Sequence, residues 1–260
     1  MRYLRFGLAC IRLNLAAALE YRGAFIAQAL GMMLNDATFF IFWVLFFDRF
    51  PNVGGWGVRD VVLVWAIAAT AVGLATVFFG NCLRLATIVV QGQLDYYLGL
   101  PKNVLLHVLV SRMGLAGWGD VGFGLLAYAL FGPHDPAGLG LYVLLVISST
   151  VTFIACMVIA GCLAFFIGSA EAAAFQAQQA VINFSLYPGG VYHGWVRVVL
   201  FSLVPAGFIS HLPVELLRTF DPLRLAAVIA FALGSLLVAI LLFRSGLRRY
   251  ESGNLVLLRG

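Results

Sequence analysis

A chain of 260 residues with 63% hydrophobic and only 10% charged side chains falls well short of the roughly 25% charge of a typical soluble domain. This excludes a water-soluble surface and makes the bilayer its natural solvent. The net charge of +5 is no nucleic-acid signal, because the cations collect on one side of the apolar spans, as counted below. Cys10, Cys82, Cys156 and Cys162 show neither a C-x-x-C pair nor metal-ligand spacing and read as inert thiols.

In a bilayer every backbone N–H and C=O is paired internally, which leaves helices or closed barrels. Barrel strands alternate apolar and polar residues, whereas the apolar runs here are continuous, as in LYVLLVISSTVTFIACMVIAGCLAFFIG from Leu141. The expected fold is therefore all-α: one polytopic domain over 1–260 with six transmembrane helices, an N-terminal interfacial helix over 1–22 and two short re-entrant helices before the last span.

Met1 to Arg22 spreads Arg2, Arg5, Arg12 and Arg22 along its length, with Leu4, Leu8, Ile11, Leu15 and Leu19 at helical spacing. That pattern describes a basic amphipathic helix in the membrane interface. Ala24 to Phe47 is the first span. It carries Asp36 near its middle, where a charge costs at least roughly 2.5–3.5 kcal/mol, so the side chain is expected to face other helices, be protonated or hydrogen-bond within the bundle. Asp48 to Asp60 forms a short loop whose Trp56 suits an interface. Val61 to Gly80 is the second span.

Asn81 to Lys102 (NCLRLATIVVQGQLDYYLGLPK) reads as a polar loop, within a segment bounded at 81–105. The third span runs from about His107 to Phe131 and contains glycines at 114, 117, 119, 122 and 124. Gly117 to Gly122 matches G-x-G-x-x-G, but that fingerprint requires a strand before it and a βαβ unit around it. Inside an apolar run, close helix packing through small residues is the expected reading. Asp120 is the second mid-membrane acid.

Gly132 to Gly138 is a turn, and Leu139 to Gly168 holds the fourth span. In the fifth helix, Ser169 to Pro188, the wheel shows two polar stripes: Glu171, Gln178 and Ser185 on one line, and Gln176, Gln179, Asn183 and Tyr187 on another. One stripe is expected to line a pathway and the other to make a helix contact. Over 189–222, Pro205, Pro213 and Pro222 break the apolar character into pieces too short to cross, as in re-entrant helices. His193 and His211 have no acid or Cys at ligand spacing, and no metal is expected. Arg224 to Phe243 is the sixth span.

With both ends inside, eleven Lys and Arg residues lie on the cytoplasmic side, including Arg84, Lys102, Arg112, Arg244, Arg248, Arg249 and Arg259. Arg49, Arg59, Arg197, Arg218 and Arg224 lie outside. The excess of Lys and Arg favours cytoplasmic termini and puts the 81–105 segment in the cytoplasm. The chain contains no Walker A sequence, G-x-S-x-G or H-E-x-x-H. Asp36, Asp120 and Glu171 lie on three helices, and the sequence leaves open whether they meet.

Three stretches carry a family resemblance: the basic N-terminal helix running into Tyr21-Arg22-Gly23; Gly92-Gln93-Leu94-Asp95-Tyr96-Tyr97-Leu98-Gly99-Leu100-Pro101; and Tyr187-Pro188-Gly189-Gly190-Val191-Tyr192 with Trp195, Arg197, Pro205 and Pro213. The chain resembles a permease subunit of an ATP-binding-cassette exporter of the type-2 class, in a bacterial six-span branch. Gln93 stands where the family usually has an acid. The resemblance implies a pore-forming subunit of the bacterial inner membrane with no catalytic residue and no cofactor. Its implied partners are a separate cassette ATPase and a second permease chain, identical or not, with no nucleic acid. It implies that Gly92, Leu94, Asp95, Leu98 and Pro101 couple to the ATPase. It also implies that the pathway runs between the fifth and second helices of two chains, which fits Gln178 and Asn183, with Glu171 beside them. An ion-coupled carrier using Asp36, Asp120 or Glu171 is the alternative, although the two halves show no matching broken helices. A membrane-embedded lipid enzyme lacks a catalytic constellation.

Overall fold

The computed structural model describes residues 2–167, 170–187, 192, 194–202 and 204–250. Pro188, Gly189, Gly190, Val191 and His193 of the expected outer region, and Arg259, lie outside the described residues. Among the described residues the regular structure is helical, apart from a single bridge between Val53 and Trp56.

Helix α1 (Arg2–Glu20) forms as the amphipathic pattern requires. It packs Ala18, Ile11 and Leu15 against Val77 and Met113, and Asn14 Nδ2 donates to the Val110 carbonyl at 3.0 Å. Among the described residues, helices α2 (Arg22–Arg49), α3 (Val58–Phe79), α8 (Pro136–Cys162) and α12 (Pro222–Leu247) supply the four stretches long and apolar enough to cross a membrane. In α3 78% of the apolar window is buried and in α8 67%, against 17% in each of α2 and α12. So α3 and α8 form the centre, while α2 and α12 turn most of their apolar surface outward. The other two expected spans are shorter: α7 (Gly117–Phe131) has 15 residues and α9 (Ala170–Leu186) has 17, against the roughly 20 needed to cross.

The third span is not one helix. The chain forms α6 (Val104–Val110), a turn, and then α7. The turn lies against the end of α3, where Gly80 N–H donates to Arg112 O at 3.1 Å and Gly114 N–H donates to Thr76 O at 2.9 Å. These backbone bonds between segments replace the helical ones that a continuous span would have made. The glycines permit this approach. A Cβ on Gly73 would stand 2.7 Å from Gly117 O and Val121 N, and one on Gly117 would collide with Thr76. The G-x-G-x-x-G stretch thus opens α7 and packs it on α3 and α2, as expected of small residues.

The expected loop after the second span is also mostly structured. A 3₁₀ turn over Gly80–Arg84 and α4 (Leu85–Val90) continue α3, giving a helical run from Val58 to Val90. Leu85, Ile88 and Val89 are buried with Phe153 and Met157 of α8. The surface segment therefore begins near Gln91, not at Asn81.

Trp56 does not sit in an exposed interface. It is buried, with its ring edge-on to His211 at 6.1 Å. After α9, α10 (Trp195–Ser202) and a wide turn over Gly207–His211 leading into α11 (Leu212–Arg218) form two short pieces parted near Pro205. At this end two arginines are paired: Arg218 with Asp60 at 3.3 Å, and Arg224 with Glu215 at 3.0 Å and Asp221 at 3.3 Å. Asp221 also caps α12.

Candidate functional site

The Gly92–Pro101 stretch folds into a short helix, α5 (Leu94–Leu98). Gly92 has φ of +69°, a left-handed conformation that glycine adopts without a steric penalty, and it turns the chain out of α4. The helix stops at Leu98, with Gly99 next and Pro101 beyond it. Leu94 is fully buried in the core cluster that holds Leu85, Val89 and Leu109, whereas Leu98 is 42% exposed and Tyr96 69% exposed. Asp95 is exposed as well. The two leucines of one helical turn thus have opposite surroundings: Leu94 anchors α5 and Leu98 faces outward.

A second attachment was not assigned from sequence. Ser111 Oγ donates to Val108 O at 2.8 Å, so the Tyr97 hydroxyl, 2.9 Å from the same oxygen, is the donor in that contact. Asn81 Nδ2 donates to Ser111 Oγ at 2.9 Å and to Val108 O at 3.0 Å. Tyr97, Ser111 and Asn81 therefore tie α5 to the foot of α3 and to the turn before α7. The available signal was the pair of isolated polar residues, Asn81 and Ser111, beside apolar runs. Tyr250, just beyond α12, also reaches this region. Burial and the neighbouring Asp95 carboxylate push its hydroxyl up to about 12.

The intramembrane acids do meet, in part. Asp36 on α2 and Asp120 in the first turn of α7 are 2% and 6% exposed and face the same cavity. Both acids line a cavity of about 460 Å³ between α2, α3 and α9, walled by aromatic rings such as Phe39, Trp43, Trp65 and Tyr187. Asp36 Oδ2 and Trp65 Nε1 are buried there without a partner among the described residues. Glu171 is not part of this cavity wall.

The two stripes of α9 separate as two faces. Ala170, Ala174, Gln178, Val181 and Ser185 are buried, while Gln176, Asn183 and Tyr187 are exposed. Of the expected pathway residues only Asn183 lines the cavity. Gln178 is packed into the bundle and Glu171 is half-buried, so no single face presents all three.

Among the described residues there is no group of three or more His, Cys, Asp or Glu side chains placed to hold a metal. His211 instead places Nε2 3.0 Å from the Tyr187 carbonyl. In comparisons with known proteins, the family model described as ABC-2 family transporter protein matches residues 33–253. No curated protein and no solved structure matches.

Proposed function

The chain belongs to the ABC-2 transporter family, and on that premise we propose that it is the membrane permease subunit of an ATP-driven exporter, working with a separate cassette ATPase. The observation that carries this reading is α5. Its buried Leu94 and bonded Tyr97 fix it to the bundle, while Asp95, Tyr96 and Leu98 face outward. A surface helix held this firmly can pass on a push. ATPase closure against the outward face moves α5 as a unit with the foot of α3 and the turn before α7, through Tyr97, Ser111 and Asn81. Coupling of this kind runs through contiguous packed and hydrogen-bonded elements. Both moving helices border the acid-lined cavity, so the same displacement reshapes it.

In this reading six segments span: α2, α3, the broken α6–α7 pair, α8, α9 and α12. The termini and α5 lie in the cytoplasm of a bacterial inner membrane, and α10 and α11 dip in from the opposite side. A second permease chain, identical or different, covers the apolar outer face of α2 and the polar stripe of α9. The pathway then lies along Asn183 and the cavity behind it, and Gln178 acts as an internal contact.

The test is isolation of the chain from native membranes in mild detergent. A cassette ATPase should accompany it, and transport by vesicles holding the complex should require ATP. The paired acids favour a second reading, a proton-coupled carrier that uses Asp36 and Asp120. The two readings part on energy source: transport that persists without ATP and collapses with the proton gradient, in a preparation that never brings down an ATPase, would replace the first reading with the second.

A further inference from the structure

A second cavity, of about 1010 Å³, opens between α3, α6, α8 and α12. That is at the upper end of the roughly 300–1,000 Å³ seen for small-molecule sites. Its wall is apolar and only partly covered: Phe78 of α3, Ile147 and Ile154 of α8, and Leu236, Ile240 and Phe243 of α12. Lys102 and Arg244 also line it.

Three features point to one kind of occupant. The first is depth. Leu236 to Arg244 spans roughly 12 Å at the helical rise of about 1.5 Å per residue, which is near half of a hydrocarbon core of ~30 Å. The groove is one leaflet deep. The second is charge. Among the described residues no ion pair holds Lys102 or Arg244. The ammonium of Lys102 instead lies over the Phe6 ring at 5.3 Å, a contact that leaves its positive charge uncompensated. At the other end of the bundle Arg218 and Arg224 are matched by acids. The third is that the neutral polar groups in the wall are engaged elsewhere. The Thr150 hydroxyl donates to Val146 O at 2.8 Å, and Asn103 Oδ1 accepts from Leu106 N–H at 3.0 Å to cap α6.

We infer that this groove binds one anionic phospholipid from the surrounding leaflet, its acyl chain lying between α8 and α12 and its phosphate between Lys102 and Arg244. Lys102 directly follows Pro101, so the headgroup would rest beside the end of the α5 segment. The inference requires that the chain sits in a bilayer, but it does not depend on ATP coupling.

The test uses the full chain reconstituted in phosphatidylcholine vesicles containing a minor share of phosphatidylglycerol, then extracted gently and weighed intact by mass spectrometry. Wild type should retain phosphatidylglycerol in preference to phosphatidylcholine. A basic residue near an anionic headgroup is worth roughly fivefold in binding, so K102A/R244A should lose about 30-fold of that preference. The charge-conserving K102R/R244K should keep it, and a thermal melt should show both variants folded. Free glycerol phosphate should not displace the lipid, because the chain supplies part of the binding. Equal retention of the two lipids by wild type would overturn the inference. So would undiminished preference in K102A/R244A, loss of preference in a folded K102R/R244K, or displacement of the lipid by glycerol phosphate.

Discussion

Leu94 and Leu98 are the same residue type, one helical turn apart in α5, and the structure assigns them opposite duties. Leu94 is fully buried and belongs to a core cluster with Leu85, Val89, Val108 and Leu109. Leu94→Ala removes about three carbon groups at ~0.8 kcal/mol each and leaves a cavity that the rigid neighbours only partly fill. The total should be about 3 kcal/mol, within the range of roughly 2–5 for buried leucines. Leu98 is 42% exposed, so Leu98→Ala should cost about 1 kcal/mol or less. Denaturant unfolding of the two variants in one mild detergent, followed by tryptophan fluorescence, gives the comparison directly. The same preparations should show that Leu98→Ala, though nearly as stable as wild type, carries less bound ATPase. Equal destabilisation by the two substitutions, or a larger loss from Leu98→Ala, would refute the assignment of anchor and outward face.

Four further outcomes follow. Gly73→Ala places a methyl group 2.7 Å from the backbone of α7 and should destabilise by about 1–3 kcal/mol. Gly140→Ala meets nothing within 4 Å and should be close to neutral in the same unfolding assay. Asp36 and Asp120 share one site, so a double-mutant cycle with Asp36→Asn and Asp120→Asn should give a coupling of about 0.5–3 kcal/mol. Additive effects would show that the two acids do not interact. Tyr250 has its hydroxyl pushed above the ordinary value of about 10 to about 12 by burial and by Asp95. A raised folded value means that the contact of Tyr250 with the α5 region is intact below about pH 10 and is lost as pH rises toward 12. Ultraviolet titration should show several late phenolates, and Tyr250→Phe should remove one tyrosine's share of that late phase.

The sequence made the helical class legible, because runs as apolar as Leu141 to Gly168 have no other stable form in a bilayer. It also made legible the role of the glycines around Gly117, since small residues in an apolar run read as close packing. It could not separate lipid-facing from protein-facing surface, because both are apolar in a membrane. The break between α6 and α7 therefore has no signature in composition, and Trp56 has the setting of an interfacial residue although it is buried. The buried run of Leu85, Ile88 and Val89 was available as an i, i+3, i+4 pattern, but Asn81, Arg84 and Gln91 around it gave the stretch a loop-like composition. In the candidate site, Gly92 makes the turn and Leu94 the buried contact, while α5 ends at Leu98, three residues before Pro101. The meeting of Asp36 with Asp120 is a property of how α2 and α7 dock, and single-sequence spacing carries no information across 83 residues of intervening chain. Two stripes were visible on α9, but which faced inward depended on neighbours the wheel does not show.

The central claim is that α5 is where a separate ATPase acts on this chain. A photo-crosslinking residue in place of Tyr96, on the exposed face of α5, tests it most directly, with His134 at an exposed turn elsewhere as the control position. After irradiation of native membranes, the account predicts a crosslinked product from position 96 that contains a cassette ATPase, and none from position 134. An ATPase captured equally from both positions, or from neither while the complex remains intact, would contradict it.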